Sequence, residues 1–143
     1  MKQTIAMAAL AVEDIGRALE FYRGALGWEP GFHNEDVAFF QMNGFIFGLS
    51  RKELLEDETG RPIASGAGAF SLAHNAESEA QVDEIITRAE AAGATVLQQP
   101  VRRDWGGYSG YFEDLDGHKW EVAHNPFWTI GADGRVSMQP EKT

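Results

Sequence analysis

Residues 105 to 121 read Trp105-Gly106-Gly107-Tyr108-Ser109-Gly110-Tyr111-Phe112-Glu113-Asp114-Leu115-Asp116-Gly117-His118-Lys119-Trp120-Glu121. An aromatic, glycine-rich loop runs into a strand, Asp116-Gly117 supplies a turn, and a second strand continues to Val122. The same plan occurs earlier in the chain. Phe40 precedes Gly44 by four residues and Phe112 precedes Gly117 by five, and each glycine opens a strand, one ending at Leu49 and the other at Val122.

Working outward, each of these endings is preceded by a strand and a helix. In the first half Met7 to Val12 reads as a strand. Asp14 is a good helix cap, Ile15, Ala18, Leu19, Tyr22 and Leu26 recur at helical spacing, and Gly27 ends the helix. Trp28 to Phe32, Val37 to Met42 and Phe45 to Leu49 follow as strands, the last two joined by Asn43-Gly44, whose residues tolerate a tight hairpin turn. In the second half Ala67 to His74 reads as a strand, and Ser78 caps a helix carrying Val82, Ile85, Ile86, Ala89 and Ala92 that stops at Gly93. Ala94 to Gln98 then begins the closing strands. Lys52 to Gly66 reads as a linker opening with a helical turn. The sequence therefore predicts one α+β domain over residues 1–143: a βαβββ module at about 4–51, a linker at 52–66, a second module at 67–124 and an irregular tail at 125–143. Internal duplication is the simplest account of this order.

Composition narrows the function. The 143 residues contain no cysteine, which excludes disulfides, cysteine nucleophiles and thiolate metal sites and leaves His, Asp and Glu as the strong ligands. A formal charge of −10 repels phosphate backbones, so nucleic acid is not an expected partner. No apolar run approaches the roughly 20 residues that span a bilayer, and no export signal is legible at Met1 to Val12; the expectation is a cytoplasmic protein without a membrane partner.

Phe21-Tyr22 with Leu26-Gly27, Ala91-Ala92-Gly93-Ala94, and the run from Trp105 to Glu121 resemble the glyoxalase, bleomycin-resistance and extradiol dioxygenase group, the vicinal oxygen chelate superfamily. The resemblance covers Ile5 to Pro126. It implies two βαβββ modules whose sheets form an open curled barrel around a small-molecule pocket, with the helices outside, and it implies a homodimer. Members with a metal take four ligands, one from the first and one from the last strand of each module.

The last-strand positions fall on Glu121, four residues after Gly117, and on Gly48, four after Gly44. Alternation turns Leu10 and Val12 toward the helix, so Met7, Ala9 and Ala11 face the pocket and the first-strand position is Met7; in the second module it is Ala69. Only Glu121 is a ligand of the family's kind, and a catalytic ion of this type needs at least three protein groups, so no metal or other cofactor is expected. Glu121 is the candidate catalytic base or cation partner. Trp105, Tyr108, Met7, Gly48, Ala69 and Glu121 are the candidate ligand-binding residues, with the loop Trp105-Gly106-Gly107-Tyr108 suited to covering a planar or apolar ligand. His74 and His124 sit on the strand faces opposite Ala73 and Glu121 and read as packing residues, and His118 as a turn residue. The expected function is metal-free binding of a small organic molecule. The alternatives are a glyoxalase-related lyase or isomerase using Glu121 as base or metal ligand, and a structural or regulatory homodimer whose barrel is filled by its own side chains.

Overall fold

In the computed structural model, which describes residues 1–3, 5–64, 68 and 70–138, the first module runs β1 (Met7–Val12), α1 (Ile15–Leu26), β2 (Phe32–His33), β3 (Val37–Gln41) and β4 (Ile46–Arg51). The second runs β5 (Leu72–Asn75), α3 (Glu79–Ala91), β6 (Thr95–Arg102), β7 (Tyr108–Glu113) and β8 (Lys119–His124). Each module forms its own four-stranded sheet, ordered β1-β4-β3-β2 and β5-β8-β7-β6, with the first and last long strands parallel and the rest antiparallel. The two modules thus share one order strand for strand. The two sheets curl but do not close into a barrel.

The helix boundaries follow the caps. Asp14 Oδ1 accepts the Arg17 N–H at 2.7 Å, and Gly27 ends α1 in the left-handed conformation. Ser78 Oγ accepts the Gln81 N–H at 3.1 Å at the start of α3. Several strands differ from the sequence reading. Trp28 to Glu29 is not strand, because Pro30-Gly31 interrupts it and only Phe32 and His33 pair with β3. The second module's first strand begins at Leu72; of the stretch before it, residues 65–67 and Ala69 lie outside the described residues. The linker's expected helical turn is α2 (Lys52–Thr59), two turns continuing directly from β4. The tail carries a short hairpin of β9 (Thr129–Ile130) and β10 (Val136–Ser137), tied to the first module through Asn43, whose Nδ2 donates to the Asp133 carbonyl.

One apolar core serves both modules. α1 packs on β3 and β4, α3 on β6, β7 and β8, and the two helices on each other. Leu10, Val12, Phe40, Phe47 and Leu49 of the first sheet join Phe112, Trp120 and Val122 of the second in a single buried cluster, with Phe47 and Trp120 rings 5.6 Å apart. The modules therefore meet helix side to helix side. At the centre the buried Tyr22 hydroxyl donates to Asp114 at 2.7 Å and accepts the Trp120 Nε1–H at 3.1 Å, while Asp114 Oδ1 accepts the N–H groups of Asp116 and His118. A second seam joins the Asp116-Gly117 turn to β1: Asp116 Oδ1 accepts the Glu13 N–H at 3.0 Å, and His118 Nε2 lies 2.6 Å from the Ala11 carbonyl. Among the described residues no helix is long and apolar enough to cross a membrane.

Candidate functional site

With the helix-side faces of both sheets committed to the core, the opposite faces turn away from it. Strand alternation assigns Met7, Ala9 and Ala11 of β1 to the open face of the first sheet, as Leu10 and Val12 are 3% and 1% exposed while Met7 is 42% exposed. The ladder aligns Ala9, Gly48 and Phe39 in one row across β1, β4 and β3. A Cβ on Gly48 would stand 3.4 Å from both the Met7 thioether and the Phe39 ring, so the place where a side chain from β4 would project is already walled by sulfur and aromatic carbon.

The corresponding row of the second sheet is Ala73, Glu121 and Tyr111 across β5, β8 and β7. Glu121 thus occupies the position of Gly48, and Tyr111 that of Phe39. The Tyr111 phenol is pushed above its ordinary value, first by burial and then by the charge of Glu121. Arg103 lies over the other side of this group, its guanidinium carbon 5.7 Å from the Tyr111 ring centroid. Its Nε donates to the buried Ser109 Oγ at 2.8 Å and its Nη2 to the Ser109 carbonyl at 3.2 Å. Glu121, Tyr111, Ser109 and Arg103 form one polar constellation on the open face.

The other expected site residues distribute unevenly. Met7 and Gly48 are brought together on the first sheet, apart from Glu121. By register the second-module residue equivalent to Met7 is Ser71, two before Ala73, while Ala69 lies outside the described residues. Tyr108 leaves the pocket face: its hydroxyl donates to Asp83 of α3 at 2.7 Å, because it stands three residues from Tyr111 and alternation turns it to the helix side. The Trp105 ring folds back on Gly107, where any Cβ would overlap the ring and approach the His124 carbonyl at 2.8 Å; Gly107 is required for this close approach. His124 Nδ1 lies 3.2 Å from the Ala76 carbonyl, and His118 serves the turn. Sequence reasoning missed Tyr111, Ser109 and Arg103. Folding the hairpin about Asp116-Gly117 sets Tyr111 opposite Glu121 and could have found it.

Several cavities lie elsewhere, two of them between the modules. One of about 350 Å³ runs beside β1 and α2, with Glu13, Lys52, Asp116 and His118 on its wall, and burial raises the Asp116 carboxyl there. The other, about 490 Å³, opens on Trp28, Phe47 and Trp120, with His74 at its edge. Both border the seams between the modules.

A family metal would need donors from both modules. Met7 and Gly48 offer a thioether and no side chain, and among the described residues no three His, Asp or Glu side chains gather to hold an ion. The residues do not fit the ion.

Paired βαβββ modules, each with one sheet face on the shared core and the other turned away from it, define the class of protein. The sequence matches the Glyoxalase/Bleomycin resistance protein/Dioxygenase superfamily over residues 4–122, and the chain belongs to that family. It is similar to the crystal structure of a glyoxalase-related enzyme from Fulvimarina pelagi, at 38% identity over 94% of this chain and 97% of that one, with a TM-score of 0.92. A lactoylglutathione lyase from Agrobacterium tumefaciens is 27% identical, with 90% and 98% of the two chains covered and a TM-score of 0.68. A glyoxalase/bleomycin resistance protein from Albidiferax ferrireducens is also 27% identical, with 85% and 98% covered and a TM-score of 0.68.

Proposed function

We propose that this protein binds a small organic molecule without the family's metal, as a cytoplasmic homodimer in which the Met7–Phe39 face of one copy lies against the Glu121 face of the other. The observation that carries the reading is the pair of equivalent rows: Ala9, Gly48 and Phe39 present only apolar surface, whereas Ala73, Glu121 and Tyr111 present a carboxylate and a phenol. Each sheet supplies half of a pocket of mixed character, of the kind that takes small ligands. Met7 and Phe32, 42% and 53% exposed, and the outer edges of β1 and β5, which pair with no further strand among the described residues, give a second copy an apolar surface and strand edges to cover.

A second reading, a lyase or isomerase with Glu121 as general base, draws on the Tyr111–Glu121 contact and on the lactoylglutathione lyase among the similar structures. Thermal unfolding of metal-stripped protein with Zn²⁺, Ni²⁺, Mn²⁺ or Fe²⁺ tests the metal-free reading, because an ion at about 100 times its Kd adds about 2.7 kcal/mol. No shift is expected. A shift that disappears in Glu121→Ala overturns the metal-free reading and favours the enzyme. Light scattering is expected to give the mass of two chains; the mass of one chain overturns the dimer.

A further inference from the structure

Arg103 differs from most other cations of the chain. Arg23, Arg51, Lys52, Arg102, Lys119 and Arg135 each lie within 4 Å of a carboxylate, whereas Arg103 has no ion-pair partner among the described residues. It is nonetheless fixed. Two of its five N–H donors are spent on Ser109, a residue with no exposed surface, and its plane is held over Tyr111. The side-chain entropy that a flexible surface arginine loses on binding an anion is therefore largely lost already, and the remaining N–H groups are free to donate.

We propose that Arg103 binds the carboxylate of the ligand taken up on the open face of the second sheet, while Glu121 accepts a hydrogen bond from a donor group on the same molecule. The proposal deepens the binding reading above and rests on it. The chemistry selects a monocarboxylic acid with an apolar body. A single guanidinium edge matches one planar carboxylate in a bidentate pair. A phosphate dianion finds no second cation in the constellation and faces the Glu121 carboxylate, in a chain whose formal charge is −10. The apolar body would lie against Tyr111 and the partner's apolar row. Arg103 and Ser109 are thus assigned to specificity, Arg103 by contact and Ser109 by holding it.

The test compares 3-(4-hydroxyphenyl)propionate, whose phenol offers Glu121 a donor, with its uncharged amide and with inorganic phosphate. Each is titrated to about 10 mM, so that millimolar binding is caught, into ¹⁵N-labelled full-length protein by NMR, following the Arg103 Nε–H and the amides of residues 109–112 and 121. A charge-assisted pair predicts roughly 10- to 100-fold tighter binding of the acid than of the amide. Arg103→Met is expected to erase that preference and Arg103→Lys to keep part of it, since the charge stays but the planar fork is lost. Where Arg103→Met fails to fold, Arg103→Lys carries the test, an undiminished preference counting against the proposal. Equal binding of acid and amide at these residues overturns the carboxylate assignment and leaves the binding pocket standing. Tighter binding of phosphate also overturns it. If no probe perturbs this face, the proposal and the binding reading fall together.

Discussion

The rows Ala9–Gly48–Phe39 and Ala73–Glu121–Tyr111 occupy the same place in two copies of one architecture, yet only the second can exchange a proton or hold a charge. Phe39 and Tyr111 differ by a hydroxyl, and Gly48 and Glu121 by an entire acidic side chain. The helix-side faces of the same strands have not diverged in this way, since both remain aliphatic and aromatic and share one core. Packing against a helix constrains a strand face to be apolar and of the right volume. The open face carries no such constraint, and there the modules have become complementary: one gives surface, the other chemistry.

The sharpest way to break the comparison is to give the first row a charge. Met7→Asp sets a carboxylate in the apolar half of the proposed dimer contact, where an unpaired buried charge costs several kcal/mol. Sedimentation is expected to show the dimer dissociation constant rising by at least about 100-fold, whereas Ala80→Asp, exposed in the first turn of α3, leaves it intact. Equal effects would mean that the first sheet's open face is not the contact.

Next in size is the group that holds the two rows in fixed relation. Tyr22→Phe leaves the Trp120 Nε1–H without its acceptor and removes a hydrogen bond from Asp114, costing about 2–3 kcal/mol, or roughly 5–10 °C in Tm. Burial first, and then the charge of Asp114, hold the Tyr22 phenol well above its ordinary value. The unfolded chain therefore loses this proton before the folded one. The phenol's contribution is complete below about pH 10 and declines as pH rises beyond that. Wild-type stability is expected to fall more steeply above pH 10 than that of Tyr22→Phe, by chemical denaturation across the range; parallel curves would place the alkaline transition elsewhere.

A smaller gain is expected from restoring donors to the first row. Met7→His with Gly48→Glu supplies an imidazole and a carboxylate where the thioether and the bare backbone now stand. In the proposed dimer these would face Glu121 of the second copy. Zn²⁺ at about 30 times its Kd is then expected to add about 2 kcal/mol to the double variant and nothing to wild type. A wild-type shift of equal size would mean that the missing donors are found elsewhere.

How much of this was legible depends on how far apart the interacting residues lie. Asp14, Gly27, Ser78 and Asn43-Gly44 announce their elements because a cap or turn is settled within a few residues. The placement of Met7 on an open face follows from alternation, and that of Gly48 and Glu121 from counting to the positions the family resemblance implies. The Tyr22–Asp114–Trp120 network joins residues more than ninety positions apart, and no local pattern encodes it. Arg103 was hidden for a different reason. β6 shifts register between Val96 and Gln98 and again between Gln98 and Val101, so counting faces through it fails before Arg103 is reached. The first-strand position expected at Ala69 in the second module lies outside the described residues.

The smallest expected effect bears most directly on the second row. Glu121→Gln keeps the size and shape of the side chain and removes its charge, on a face that is not part of the core, so stability is expected to change by no more than about 0.5 kcal/mol. The Tyr111 phenol is raised by burial and by the charge of Glu121, and Arg103 opposes these. Removing the charge leaves burial against an undiminished Arg103, so the Tyr111 titration is expected to move down toward the ordinary tyrosine range, read from its ¹³Cζ resonance. If Tyr111 titrates unchanged in Glu121→Gln, the two side chains are not coupled, and the polar row is a set of separate groups instead of one site.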